Sequence, residues 1–202
     1  MITREYNLKD IEEIALVIRK GGLVAFPTDT VFGLAVDSLN RQAVDKLKIA
    51  KGRPEDKPFP MMVNSLKQIE RVAQVNERER KIIKAFMPGA LTIIFNKQEA
   101  VPDYVTNGFS TIGIRMPNDE WILELISLLD SPLLVPSANI SGEPSCFNHE
   151  DVLKQLKGRI DGIVKGVSGS QLSSTIVDMS KDEIEILREG EISYKEIMEV
   201  LR

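Results

Sequence analysis

One cysteine and one histidine occur in the 202-residue chain, Cys146 and His149. A single thiol excludes an intramolecular disulfide, and no CxxC or HExxH arrangement is available, so no protein-held metal site is expected. Long hydrophobic runs are missing as well. No window approaches the roughly 18 uncharged apolar residues of a membrane-spanning helix, and the first segment, "MITREYNLKDIEEIALVIRKGG", is charged throughout and lacks the apolar stretch of a signal peptide. The expected location is the cytoplasm, away from any membrane. Basic residues are not in excess: 26 Lys and Arg stand against 30 Asp and Glu, a net charge of −4. That balance argues against coating a nucleic acid by overall charge but leaves room for a local basic pocket. Neither GxxxxGK[ST] nor GxGxxG is present, so the two familiar glycine-rich phosphate cradles are not supported.

With 43% hydrophobic residues, the chain can bury one sizeable core, and residues 1–202 read as a single domain. Ile11, Ile14, Ala15 and Ile18 recur at helical spacing and Gly21-Gly22 supplies a stop, which predicts an amphipathic helix over 8–20. Short apolar runs bounded by turn residues predict strands at 23–26, 34–36, 61–64, 91–95, 111–116, 133–135, 175–179 and 184–190. Helices are expected at 41–50, 66–73, 77–86, 119–129, 151–156 and 193–201. The fold class is α/β, mixed α and β, with helices on the faces of one sheet.

Polar, sharply turning segments follow these elements, and function concentrates in such places. In "KGRPEDK", Lys51, Arg53 and Lys57 place three cations within seven residues at a helix end. They either complement the helix dipole as a solvated face or recognise a polyphosphate. Arg115 sits inside the apolar pattern "TIGIRMP", where a buried charge needs a carboxylate or phosphate partner, from the protein or from a ligand. Ser137, Asn139 and Ser141 of "PSANISG" can cap a turn or hydrogen-bond an anion or a base. His149 reads as a helix-start residue, and Ser-His-Asp or Cys-His chemistry is poorly supported. Reactions driven by positioning and charge stabilisation, such as nucleotidyl transfer with Mg²⁺, stay open.

Seven segments in order, "PTDTVFGL", "KGRPEDKP", "PGALT", "STIGIRMP", "PSANISG", "SSTIVD" and "LREG", span about residues 20–190 and resemble the YrdC family of threonylcarbamoyl-AMP synthases. The resemblance implies an open twisted mixed sheet with a concave basic cavity. It implies a nucleotidyltransferase that joins L-threonine, bicarbonate or CO₂, and ATP with its Mg²⁺ into threonylcarbamoyl-adenylate and pyrophosphate. Downstream tRNA threonylcarbamoyl-transferase proteins would then modify the adenosine next to the anticodon. By motif, Thr30, Arg115, Ser137 and Ser174 would hold L-threonine, while Lys51, Arg53, Lys57, Thr111, Asn139 and Arg188 would bind ATP. Lys51 and Arg53, both expected at the surface, would be catalytic by neutralising phosphate charge. Three positions depart from the common pattern: Lys57 where Asn is frequent, Met62 where some members have His, and Phe32 where Tyr is common. A double-stranded RNA or tRNA binding module is the alternative reading, with a basic concave surface serving a phosphate backbone. A sugar-phosphate lyase is disfavoured, because no acidic cluster is paired with a suitable His.

Overall fold

The structure, a computed structural model, describes residues 2–53, 57–170 and 172–202. Pro54, Glu55 and Asp56 of the "KGRPEDKP" segment therefore lie outside the described residues. The chain opens with β1 (Arg4–Tyr6), a 3-10 turn and α1 (Ile11–Arg19), then β2 (Val24–Phe26), β3 (Gly33–Asp37) and α2 (Arg41–Lys51). The middle holds β4 (Met61–Met62), α3 (Leu66–Val72), α4 (Glu77–Phe86), β5 (Leu91–Asn96), α5 (Asp103–Thr106), β6 (Thr111–Arg115) and α6 (Glu120–Leu129). Next come β7 (Leu133–Leu134), α7 (His149–Leu156), β8 (Gly162–Val164), β9 (Thr175–Asp178), β10 (Glu185–Arg188) and α8 (Tyr194–Leu201).

All ten described strands join one mixed sheet in the order β1-β8-β2-β3-β7-β4-β6-β5-β9-β10. Several helix starts are written locally. Asn40, Ser65, Asn76, Asp119, Asn148 and Ser193 each accept a backbone N–H of the first turn, which satisfies an otherwise orphaned donor. Asn148 also explains why α7 begins at His149, which stands at a helix start as expected.

Strand alternation sends side chains to two separate layers. Leu34 and Val36 of β3, Ile112 and Ile114 of β6, and Leu91, Ile93 and Phe95 of β5 enter the larger layer, against α2, α3, α4, α5, α7 and α8. Val24 and Phe26 of β2, Ala35 of β3 and Leu133 of β7 enter the smaller one, against Ile14, Ala15 and Ile18 of α1 and Ile122, Leu125 and Ile126 of α6. Full burial of each large aliphatic side chain is worth about 1.5–3 kcal/mol. Helices α1 and α6 cover that second face over one half of the sheet. Over the other half, around β4, β6, β5 and β9, the face stays open, and its outward positions are Thr111, Gly113, Arg115, Thr92, Ile94 and Ile176.

Two strands escape the sequence pattern. β1 and β8 have three residues each and pair in parallel with one another across the length of the chain. The short α5 is likewise unexpected, and the strands foreseen at 61–64 and 133–135 are two-residue elements.

Candidate active site

The open half-face is a cleft of about 240 Å³ that communicates with solvent, a concave site of the kind that takes a small molecule. Its floor is sheet; one wall is the turn after β2, and another is the turn after β7. The first wall answers why "PTDTVFG" has that composition. Thr28 Oγ1 donates to the Val31 carbonyl at 2.8 Å and accepts the Thr30 backbone N–H at 3.0 Å, closing the turn on itself. Gly33 lies where a Cβ would stand 2.6 Å from Val135 Cγ1, so the two walls approach only because that position has no side chain.

Arg115 is 4% exposed and projects from β6 into this turn. Its Nη1 donates to Thr30 Oγ1 at 2.6 Å, Nη2 to Asp29 Oδ1 at 2.7 Å, and Nε to the Gly89 carbonyl at 3.0 Å. Asp29 Oδ2 accepts the Asn118 backbone N–H at 2.9 Å, so the carboxylate is itself anchored. Of the two partners left open by the sequence, the protein supplies the carboxylate. Two of the five guanidinium N–H groups remain for a ligand. The Thr28 hydroxyl proton is directed to Val31, so the Thr30 hydroxyl, 3.1 Å away, donates to Thr28 while accepting from Arg115.

Across the cleft, Arg188 of β10 donates from Nε and Nη2 to the Ser174 carbonyl at 3.0 and 2.8 Å. Ser174 Oγ lies 2.8 Å from Thr92 Oγ1. Burial lowers the pKa of Arg188, and the Arg115 charge lowers it further. Burial likewise lowers that of Arg115 against the opposing pull of Asp29. Two guanidinium groups that repel across one cleft are both better satisfied by an anion between them. Arg53 also lines the cleft; it donates to the Lys57 and Pro58 carbonyls at 2.9 and 2.8 Å and stacks over Phe59.

Seven expected site residues thus converge: Thr30, Arg53, Thr111, Arg115, Ser137, Ser174 and Arg188 line the same cleft. Three do not line it. Lys57 is exposed on the flank. Lys51 corrects the expectation of a surface cation, being 1% exposed. Its Nζ donates to the Ser137 carbonyl at 2.5 Å, the Asn139 carbonyl at 2.7 Å and Asn139 Oδ1 at 3.4 Å. Asn139, 6% exposed, accepts from Ser137 Oγ and donates to the Ile140 and Glu143 carbonyls. Lys51 and Asn139 are struts behind the wall that presents Ser137. Burial, then the Arg53 charge, pull the Lys51 pKa down to about 7, while its three acceptors favour the ammonium. The sequence reading sets "TDT" at the cavity without giving Thr28 or Asp29 a role of its own, and it missed Thr92 as a site residue. Thr92 stood inside "PGALT", where only the register of β5 shows that it turns inward, and the roles of Thr28 and Asp29 come from the turn after β2 closing on Val31 and Arg115.

A half-covered mixed sheet with a guanidinium-lined cleft defines an α/β protein whose open face suits an anionic small molecule. Residues 16–190 match the Sua5/YciO/YrdC family, described as "Telomere recombination", and the chain belongs to that family. It is 39% identical over 186 residues to a threonylcarbamoyl-AMP synthase of Pyrococcus abyssi, covering 91% of this chain and 55% of that protein. A threonylcarbamoyl-AMP synthase of Bacillus subtilis is 38% identical over 205 residues, covering 99% of this chain and 59% of the relative. The chain therefore spans a little over half the length of these two relatives. The crystal structure of P. abyssi Sua5 complexed with L-threonine superposes with a TM-score of 0.91 at 37% identity, over 99% of this chain and 60% of that one. The expected YrdC-like architecture, an open mixed sheet with flanking helices and a cationic cleft, is the one observed. No helix among the described residues is long and apolar enough to cross a membrane.

Proposed function

We propose that this protein is a threonylcarbamoyl-AMP synthase, a nucleotidyltransferase that makes threonylcarbamoyl-adenylate and pyrophosphate from L-threonine, bicarbonate or CO₂, and ATP. The observation that carries the reading is the set of three guanidinium groups, Arg53, Arg115 and Arg188, facing one cleft in which two of them repel. The names of the relatives and the L-threonine in the P. abyssi structure support the choice of substrates.

In this reading the threonine amine, neutral when it reacts, attacks CO₂. The resulting carbamate oxygen attacks the α-phosphorus, and pyrophosphate leaves along the opposite direction. The two remaining N–H groups of Arg115 receive the amino-acid carboxylate, a geometry suited to a planar fork. Thr30, Ser137 and Ser174 orient the amino acid. Arg53 and Arg188 face the polyphosphate with Thr111, and Lys51 and Asn139 act by holding the wall that carries Ser137. Lys57 approaches the nucleotide from the flank. Mg²⁺ arrives on the ATP phosphates, as part of the substrate. The product passes to proteins that transfer the threonylcarbamoyl group to tRNA, which is also the basis for a cytoplasmic location.

Purified protein incubated with Mg²⁺-ATP, bicarbonate and single amino acids should release pyrophosphate with L-threonine far faster than with L-valine. A site that hydrogen-bonds the substrate hydroxyl discriminates against the analogue lacking it by roughly two to five orders of magnitude. Equal rates with valine would remove the threonine assignment.

A further inference from the structure

On the face of the sheet away from the cleft lies a second cavity of about 230 Å³, walled by Met61, Val72, Val101, Pro102 and Val105. Strand β4 is the partition: Met61 walls this cavity, while the next residue, Met62, walls the cleft. The lining is largely aliphatic, yet it holds one buried hydroxyl without a partner and one amide nitrogen left open to donate. Gln68 is 7% exposed; its Oε1 accepts the Asn64 backbone N–H at 3.0 Å, whereas its Nε2 has no partner among the described residues. Ser38 Oγ, fully buried in the same wall, is also unpartnered. At the rim, the exposed Arg71 makes no side-chain hydrogen bond or ion pair with any described residue. Asp130, the left-handed residue ending α6, lies at the rim too.

We propose that this cavity is a second ligand site, specific for a small apolar carboxylate. Aliphatic walls accept a branched or aromatic body, the Gln68 amide donates to an acceptor at depth, and the Arg71 guanidinium takes the carboxylate where the cavity meets water. An apolar α-amino acid satisfies the same set and adds an ammonium for Asp130, so a simple carboxylic acid and an amino acid are the two sources of one chemistry. No lining residue is shared with the cleft. Threonine and ATP therefore do not compete for its space, and the proposal does not rest on the reaction assigned above.

Calorimetric titration of the full chain with isovalerate, L-leucine and isoamyl alcohol tests it, with circular dichroism as the check on each variant. Isovalerate or leucine is expected to bind at one site with a Kd of about 1 mM or tighter. Arg71→Gln should weaken carboxylate binding at least about tenfold and leave the alcohol unaffected, as loss of one charge-assisted contact predicts. Ala100→Phe, at the exposed rim, should block all three probes, and saturating threonine and ATP should change none of them. A leucine advantage that Asp130→Asn erases assigns the site to amino acids; equal affinities assign it to simple carboxylic acids. The proposal is overturned if neither carboxylate saturates folded protein by about 10 mM, if Arg71→Gln and Ala100→Phe both leave binding intact, or if threonine displaces the probes.

Discussion

Arg115 is held by Thr30, Asp29 and the Gly89 carbonyl, so replacing its fork has two consequences at once. Arg115→Lys keeps the charge but reaches only part of that set. Threonine affinity measured by calorimetry should fall about tenfold or more, and because Asp29 Oδ1 loses the guanidinium N–H it accepts the melting temperature should fall too, by an amount equivalent to about 1–3 kcal/mol. Unchanged threonine affinity in a folded variant would show that the guanidinium serves the protein alone. Lys51 yields a pH prediction. Its pKa is about 7 folded against 10.5 for the free side chain, so between those values the unfolded chain binds more protons and stability rises with pH. Below pH 7 both states are charged and the burial penalty is fully present. Lys51→Met titrates at neither value, so the stability of the natural protein relative to this variant should grow as pH rises from 7 to 10.5. A difference in melting temperature that stays flat or shrinks over that window would contradict the depressed pKa. Arg53→Ala is the third test at this scale: pyrophosphate release without RNA should fall at least about tenfold, as loss of a charge-assisted contact implies. Full turnover with weakened RNA binding would instead favour the nucleic-acid reading.

Strand β10 reaches the cleft from the edge of the sheet, and its placement depends on one glycine just beyond it. A Cβ on Gly190 would lie 2.2 Å from the Ser173 carbonyl oxygen and 2.7 Å from the Thr175 amide nitrogen, both backbone atoms. Gly190 N also donates to Thr175 Oγ1, and the Thr175 hydroxyl donates to the Ile192 carbonyl, which locks the exit of β10 onto the start of β9. Gly190→Ala therefore has to push β10 away and carry Arg188 off Ser174. The expected result is a loss of about 1–3 kcal/mol of stability, in the range of overpacked sites. ATP-dependent turnover should fall more than that loss explains. Natural stability and turnover in Gly190→Ala would mean that β10 does not need this close approach.

At the scale of the molecule, among the described residues six α-helices cover one face of the sheet and two cover part of the other, and that asymmetry is what creates the cleft. The positions that line its floor are the ones strand alternation would otherwise have turned into a second core layer: Thr92, Ile94, Thr111, Gly113 and Arg115. A net charge of −4 with three inward guanidinium groups concentrates positive potential where an anionic ligand sits and leaves the exterior acidic. Affinity for ATP should consequently survive moderate salt far better than any affinity for a nucleic-acid backbone, whose loss follows counterion release. Measuring both as a function of salt on one preparation checks this; parallel losses would place the nucleotide outside the cleft.

The sequence alone settled what depends on near neighbours. Helix faces such as Ile14, Ala15 and Ile18, caps such as Asn76 and Asn148, and turns such as "PTDT" follow from spacing of three or four residues and from side chains that bond their own backbone. Ordered motifs also named seven residues that meet in the cleft. Long-range pairing decided the rest. β1 and β8 exist because each supplies hydrogen bonds to the other from opposite ends of the chain, which no local pattern encodes. The partner of Arg115 proved to be Asp29, 86 residues away. Lys51, the last residue of α2 and written like a solvated helix-end cation, is buried because the turn at Ser137 and Asn139 folds over it and offers three oxygens. Charge is legible in one residue; whether water or protein surrounds that charge depends on segments the chain brings together only when the sheet closes.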